Sequence, residues 1–260
     1  MYTVDKSELY ENFIVKYGDP KEVGWSPQRR LKFDYYPPND IYETMVNKVI
    51  THETQWIDVG GGESPFPYNL PLSKDASERC RKLVAVDPSP NVLNNLYAHE
   101  KINSTLEDFT TKDKFNLATF NMVAEHIEEP DSVVNRLSQL MESGGIVVVY
   151  TINKYSPVPL LTYVTPFSMH HKIKGVFWGE DGGKESGTFP VAYKMNTRVD
   201  LERLFSKYGF LEVSFEYLDD LSSMQRFKYL NLMELYLWKG FKAINMNYPE
   251  NNILAIYRKE

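Results

Sequence analysis

Ile57-Asp-Val-Gly-Gly-Gly-Glu-Ser64 is the stretch that decides the fold. It begins inside Gln55-Trp-Ile-Asp-Val59, a short apolar run that reads as a buried strand. The run ends on Gly60, Gly61 and Gly62, and glycines after a strand let the backbone turn sharply and pass close to a ligand. Alone, such a turn is equally a tight connection. Its weight comes from what the rest of the chain brings to the same end of the sheet.

Working outward, Leu83-Val-Ala-Val-Asp87 is a second strand, and Ser89 caps a helix carrying Val92, Leu93 and Leu96. Ile102 to Leu106 and Phe115 to Met122 are the third and fourth strands. A helix follows from Pro130 to Met141, stopped by Ser143-Gly144-Gly145, and Ile146 to Tyr150 is the fifth strand. On the N-terminal side, Asn39 or Asp40 caps a helix through Ile50. On the C-terminal side, Thr197 or Asp200 opens a helix through Lys207, Leu211 to Tyr217 is a strand, 221–243 has helical spacing, and Asn252 to Tyr257 closes the chain. Short apolar strands alternating with helices mean a parallel sheet buried on both faces. The expected fold is α/β and doubly wound: a mostly parallel seven-stranded sheet with helices on both faces and an inserted cap.

The alternation breaks in two places. Residues 1–40 read as an N-terminal arm with at most one short helix, punctuated by Pro20, Pro27, Pro37 and Pro38. Residues 153–196, rich in proline and glycine, read as a functional insertion. The expected organisation is an arm (1–40) and one domain (41–260), with cap insertions at about 153–196 and 221–246.

Composition narrows the function. The 260-residue chain carries a net charge of −6, so a phosphate backbone is a poor partner. The clusters Arg29, Arg30, Lys32 and His170, His171, Lys172, Lys174 read as solvated surface. The lone Cys80 excludes an internal disulfide and a cysteine-based metal site; Arg79 and Arg81 beside it favour its thiolate, but it reads as structural. No metal site is expected. No apolar run is long enough to span a membrane and the N-terminus does not resemble a signal peptide, so the expected location is cytoplasmic. The oligomeric state stays open.

Four elements converge on one end of the sheet. The glycine turn is the first. Asp87 ends the second strand, where an acid can accept both hydroxyls of a ribose; followed by Pro88, it is also placed to cap a helix. Glu107-Asp108 follows the third strand, where an acid can accept from an adenine amino group. Asn121-Met122-Val-Ala-Glu125-His126 follows the fourth strand and points into the same crevice.

In this order the four elements resemble the class I S-adenosylmethionine-dependent methyltransferases. The resemblance covers 41–152 by motif and 197–258 by order of strands and helices. The family pattern acid-x-Gly-x-Gly-x-Gly appears as Asp58, Gly60 and Gly62, with Ser64 in place of the last glycine. Glu125-His-Ile-Glu-Glu-Pro130, then a helix and Ser143-Gly144-Gly145, looks like the "EH-hydrophobic-x-x-P … x-GG" region of the small-molecule enzymes. The resemblance implies S-adenosylmethionine as cofactor. Gly60, Gly61 and Gly62 would line its methionine part, Asp58 would contact its amino group, and Asp87 with Pro88 would hold the ribose. Glu107 or Asp108 would face the adenine, and Asn121 and Met122 would cover the methionine end. Prolines 65, 67 and 71 shorten or displace the helix that usually follows the motif.

Methyl transfer from a sulfonium expels a neutral leaving group, so alignment supplies much of the catalysis and a base is needed only if the acceptor must lose a proton. His126 is the candidate base. Tyr36, His170, His171 and Tyr193 are candidate substrate contacts. Phe167, Phe177, Trp178, Phe189 and Tyr193 make either an aromatic wall or the cap's own core. A small-molecule acceptor on oxygen, nitrogen or carbon is expected. The rivals are a non-methylating use of the same cofactor (cyclisation or alkyl transfer), a nicotinamide oxidoreductase, and a binding module without catalysis. The oxidoreductase requires G-x-G-x-x-G, and position 65 is proline.

Overall fold

A computed structural model of the chain describes residues 2–157, 159–160, 191–222 and 224–260. Most of the predicted 153–196 insertion, with His170, His171, Phe167, Phe177, Trp178 and Phe189, lies outside these residues. The strands are β1 (Gln55–Val59), β2 (Lys82–Asp87), β3 (Glu100–Asn103), β4 (Phe115–Asn121), β5 (Met141–Ile152), β6 (Phe210–Asp219) and β7 (Asn251–Lys259). They form a seven-stranded sheet in the order β3-β2-β1-β4-β5-β7-β6. Every neighbouring pair is parallel except the two made by β7, which runs antiparallel between β5 and β6. The doubly wound reading is therefore correct. The order in which strands are added reverses between β1 and β4, so their C-terminal ends flank the crevice in which such sheets bind ligands.

Two apolar layers cover the faces. On one, Ile57, Val84, Ala118, Val147 and Val149 meet Val133, Val134 and Leu137 of α5 (Pro130–Leu140) and Leu201 and Phe205 of α6 (Arg198–Lys207). On the other, Trp56, Leu83, Leu117 and Val148 meet Tyr42, Met45 and Val46 of α3 (Pro38–Val49) and Leu72 and Ala76 of α4 (Leu70–Arg79). The central strands β1, β2, β4, β5 and β7 are largely apolar on both sides because both sides are covered, whereas β3 and β6 at the edges are more exposed.

Several local expectations are corrected. The arm holds two helices, α1 (Lys6–Tyr17) and α2 (Trp25–Phe33). Asp5 starts α1 by accepting from the Ser7 and Glu8 amides, while Glu8 reaches back to the Asp5 amide. The segment after Ser89 is a short 3-10 turn, Pro90–Asn94. Ser143–Gly145 lies inside β5 as an irregularity, with Gly144 at φ +83°; α5 has already ended at Leu140. Arg29 and Arg30 are buried. Arg29 bonds Asn231 (2.5 Å) and Gln225 (2.8 Å), and Arg30 bonds Asp40 at 2.9 Å. Cys80 is buried too, and burial pushes its thiol up to about 11 despite Arg79.

A buried polar cluster and an apolar one pin the N-terminal helices. Lys16 reaches Asp40 (2.7 Å) and Glu43 (2.9 Å), and Glu43 also accepts from Asn69 at 3.0 Å, so α1, α3 and the cap of α4 meet at one point. Burial alone would lower the Lys16 pKa; the Asp40 and Glu43 carboxylates outweigh it and hold it raised. Burial pushes Glu43 up against the pull of Lys16 and Asn69. Above the sheet, Phe33 and Tyr35 pack with Leu221, Tyr248 and Leu235, the last on α7 (Lys228–Ala243).

Candidate active site

The glycine turn is held from three sides. The amides of Gly60 and Gly61 donate to Val86 O at 2.8 and 3.4 Å, and the Gly62 amide donates to the Asp87 carboxylate at 3.1 Å. Asn121 Nδ2 donates to Pro65 O at 3.3 Å. Gly60 sits at φ +69°, and a Cβ there would overlap the Val123 side chain; only glycine fits. At Gly62, φ +40°, a Cβ would meet nothing within 4 Å, so the turn opens onto space.

Asp58 and Asp87, at the ends of β1 and β2, bracket this turn. Asp87 is nearly buried. One carboxylate oxygen accepts from Gly62 and the other from the Ser89 amide at 2.7 Å, which leaves each a further acceptor direction. Asp58 is 2% exposed and accepts from the Thr119 hydroxyl at 2.6 Å. Burial pushes its carboxyl up to about 7; the Thr119 bond opposes the rise and Asp87 adds to it. A buried acid poised to ionise without a cationic partner fits an ammonium group arriving from a ligand.

The segment after β4 closes the far side of the turn. Met122 adopts φ +56°, and its amide donates to Tyr150 O at 2.9 Å. His126 ends a single 3-10 turn, Ala124–His126, and is half-buried. Glu125 is buried and accepts from Thr151 at 2.8 Å; burial raises its pKa. Its carbonyl accepts from the Ala192 and Tyr193 amides at 2.7 and 3.2 Å, which brings Tyr193 beside the His126 turn.

Asp58, the three glycines, Asp87, Asn121 and Met122 thus come together, with His126 and Tyr193 adjoining. Pro88 is exposed next to Asp87. Glu107 and Asp108 are exposed in the turn after β3. Asp108 is engaged with Thr105 at 3.0 Å, and Glu107 lines a surface groove with Ser132 and Arg136 of α5. Tyr36 lies apart, in a cleft of about 230 Å³ lined also by Tyr35, Asp219 and Trp238 and by none of the glycine turn.

Three residues escaped the sequence reading. Thr119 links Asp58 to Trp56, whose indole donates to it at 2.6 Å. Val123 fills the space that Gly60 vacates. Asn95 is fully buried and its amide group donates to Gly61 O and Gly62 O at 3.2 and 3.0 Å. A polar residue in the middle of the apolar run Leu117-Ala-Thr-Phe120 was the one available signal for Thr119.

A family model described as a methyltransferase domain matches residues 30–214. The chain belongs to that family. Fold, glycine turn and family together make it a class I S-adenosylmethionine-dependent methyltransferase, and S-adenosylmethionine is its cofactor. No curated protein matches its sequence significantly. Among solved structures it is similar to magnesium protoporphyrin IX methyltransferase from Synechocystis PCC 6803 with bound S-adenosylhomocysteine. The identity is 12%, with 96% of this chain and 94% of that one covered and a TM-score of 0.50. It is also similar to the cyclase SpnF (12% identity, 97% and 93% covered, TM-score 0.52). The YcgJ protein from Bacillus subtilis is a third (12%, 84% and 98%, 0.50). At such identities the likeness describes the fold. Among the described residues no helix is long and apolar enough to cross a membrane.

Proposed function

We propose that the enzyme methylates a small molecule bound between the β4 and β5 strand ends and a cap made by the N-terminal helices and α7. The observation that carries this is the roof. Phe33 and Tyr35 close against Leu221, just after β6, Leu235 of α7 and Tyr248, just before β7, and buried Arg29 ties α2 to α7. A covered site favours a compact acceptor over a polymer, and the acidic net charge disfavours nucleic acid. The arm at 1–40 and the 221–246 segment serve in this reading as parts of one cap, with 153–196 as the further insertion.

The residue roles follow from the site. Asp58 holds the cofactor's ammonium, Asp87 its ribose hydroxyls beside Pro88, and Gly60, Gly61 and Gly62 leave room for its methionine part. Asn121 and Met122 cover the methionine end, and Glu107 or Asp108 faces the adenine. The cofactor supplies an electrophilic methyl group on sulfur. The chain aligns the acceptor, excludes water and, for an acceptor that carries a proton, removes it at His126. Tyr36, Tyr193, His170 and His171 are proposed as acceptor contacts. A reaction in the cytoplasm, within small-molecule biosynthesis, completes the reading.

The test is mass spectrometry of the purified protein and its reaction products with a metabolite extract and S-adenosylmethionine. The reading expects S-adenosylhomocysteine together with a small product heavier by one methyl. Methylthioadenosine as the product, or methyl label found only in RNA or protein, would overturn it.

A further inference from the structure

Helix α7 is amphipathic in the wrong sense for a soluble cap. Its polar residues point inward. Asn231 is fully buried and bonds Arg29 (2.5 Å), Glu234 (3.0 Å) and Leu221 O (3.2 Å), and Glu234 accepts from the Tyr248 hydroxyl at 2.8 Å. Leu235 is buried and Leu232 and Trp238 are half-buried beside it, but several other large apolar residues point outward. Tyr229 is 82% exposed, Met233 67%, Tyr236 61%, Leu237 57% and, just past the helix end, Ile244 65%. Their spacing places them along one stripe of the helix. No charged side chain interrupts the stripe, because Glu234 is the sole acid between 224 and 243 and it is buried.

Three basic residues border the stripe. Arg226, Lys228 and Lys239 are exposed, in a protein whose net charge is −6, whereas Lys242 is paired with Asp219 at 2.6 Å. Lys228 lies over the Trp25 ring and Lys239 over the Phe33 ring, so both are fixed on the flank of the helix at the roof of the cap. Beyond a screening length of about 8 Å the acidic remainder of the protein contributes little at this edge. A basic border on an apolar stripe complements an anionic lipid surface, in which the stripe enters the acyl boundary and the cations meet headgroups. A second copy would set like charges against each other.

We propose that α7 docks this enzyme in plane on an anionic lipid surface, with Tyr229, Met233, Tyr236, Leu237 and Ile244 as the inserted face and Arg226, Lys228 and Lys239 as the headgroup contacts. The proposal is independent of the acceptor's identity and needs no membrane-spanning segment.

The experiment is flotation of the full chain with vesicles of phosphatidylcholine alone or mixed with phosphatidylglycerol, at low and high salt. Sedimentation of the same samples without lipid reports association. Met233→Glu with Leu237→Glu, both on the exposed stripe, is the test variant, and calorimetric binding of S-adenosylhomocysteine checks that it is folded. The proposal expects flotation with the anionic vesicles, weakened by salt, and at least about tenfold weaker in the double variant and in Arg226→Glu with Lys228→Glu. Self-association lost in the double variant, with no flotation, would instead make the stripe a dimer face and overturn the proposal. A monomer that floats with neither vesicle would overturn it too, since the remainder of the chain would then cover the stripe. If the double variant does not fold, the charge variant alone decides: flotation indifferent to it and to salt overturns the proposal.

Discussion

The Thr119 hydroxyl bridges two strands by accepting from Trp56 and donating to Asp58, each at 2.6 Å, so the one acid under the cofactor turn is oriented from the neighbouring strand. Among the described residues no cation compensates Asp58, and burial lifts its carboxyl to about 7. The folded, cofactor-free protein therefore holds this proton more tightly than the unfolded chain, whose value is near 3.8. Its stabilising effect is fully present below about pH 4 and is lost as pH rises through about 7.

Asp58→Asn should thus raise the stability of the cofactor-free protein at pH 8, by at most about 4 kcal/mol, and change little at pH 4. Denaturant melts at both pH values check this. The same variant should lose cofactor affinity by more than about tenfold, because the ammonium loses its counter-charge. In the wild type, cofactor binding should release a proton below pH 7, visible as a calorimetric enthalpy that depends on the buffer. Binding without proton release at pH 6 would contradict the assigned role.

Gly60→Ala should abolish cofactor binding while leaving a folded protein. A side chain at φ +69° carries a strain of about 1 kcal/mol, and its overlap with Val123 must push either the turn or the β4 segment away. Adding Val123→Ala should restore part of the affinity if the overlap is the cause. Isothermal titration of the single and double variants separates the two contributions.

Lys16→Met should cost about 3 kcal/mol, since it leaves Asp40 and Glu43 buried against one remaining cation, Arg30. Combining it with Glu43→Gln should cost less than the sum of the two single changes. A double-mutant cycle in urea gives the coupling. Asn69 shares Glu43 and caps α4, so cofactor affinity should fall along with stability in Lys16→Met.

His126→Gln should lower kcat for an acceptor that loses a proton, with little change in the KM for S-adenosylmethionine. An unchanged kcat would reduce His126 to a packing role.

Most strands were legible because burial on both faces leaves unbroken apolar runs, as in Leu83-Val-Ala-Val and Ile146-Val-Val-Val; the third, read from Ile102 to Leu106, lies at Glu100–Asn103, where an exposed edge leaves no such run. The glycine turn and Asp87 were legible because a doubly wound sheet fixes where strand ends meet ligands. Residues that act across the fold were hidden. Arg29 and Arg30 read as surface because their partners lie 202 and 10 residues away. Asn95 disappeared into what looked like a helix, and Thr119 shows its purpose only when β1 and β4 are paired. The inward polarity of α7 was invisible too, since a helical period marks two faces without saying which one is buried.

Strand β7 has an interior position with a late arrival. It is the last strand in the chain, yet it lies between β5 and β6, and six consecutive residues, Asn252 to Tyr257, are buried there. During synthesis β5 and β6 leave the ribosome with facing edges and no partner until residues 251–259 follow. An unpaired edge is an invitation to foreign strands, so the sheet stays incomplete, and the nascent chain vulnerable, until residues 251–259 have been made.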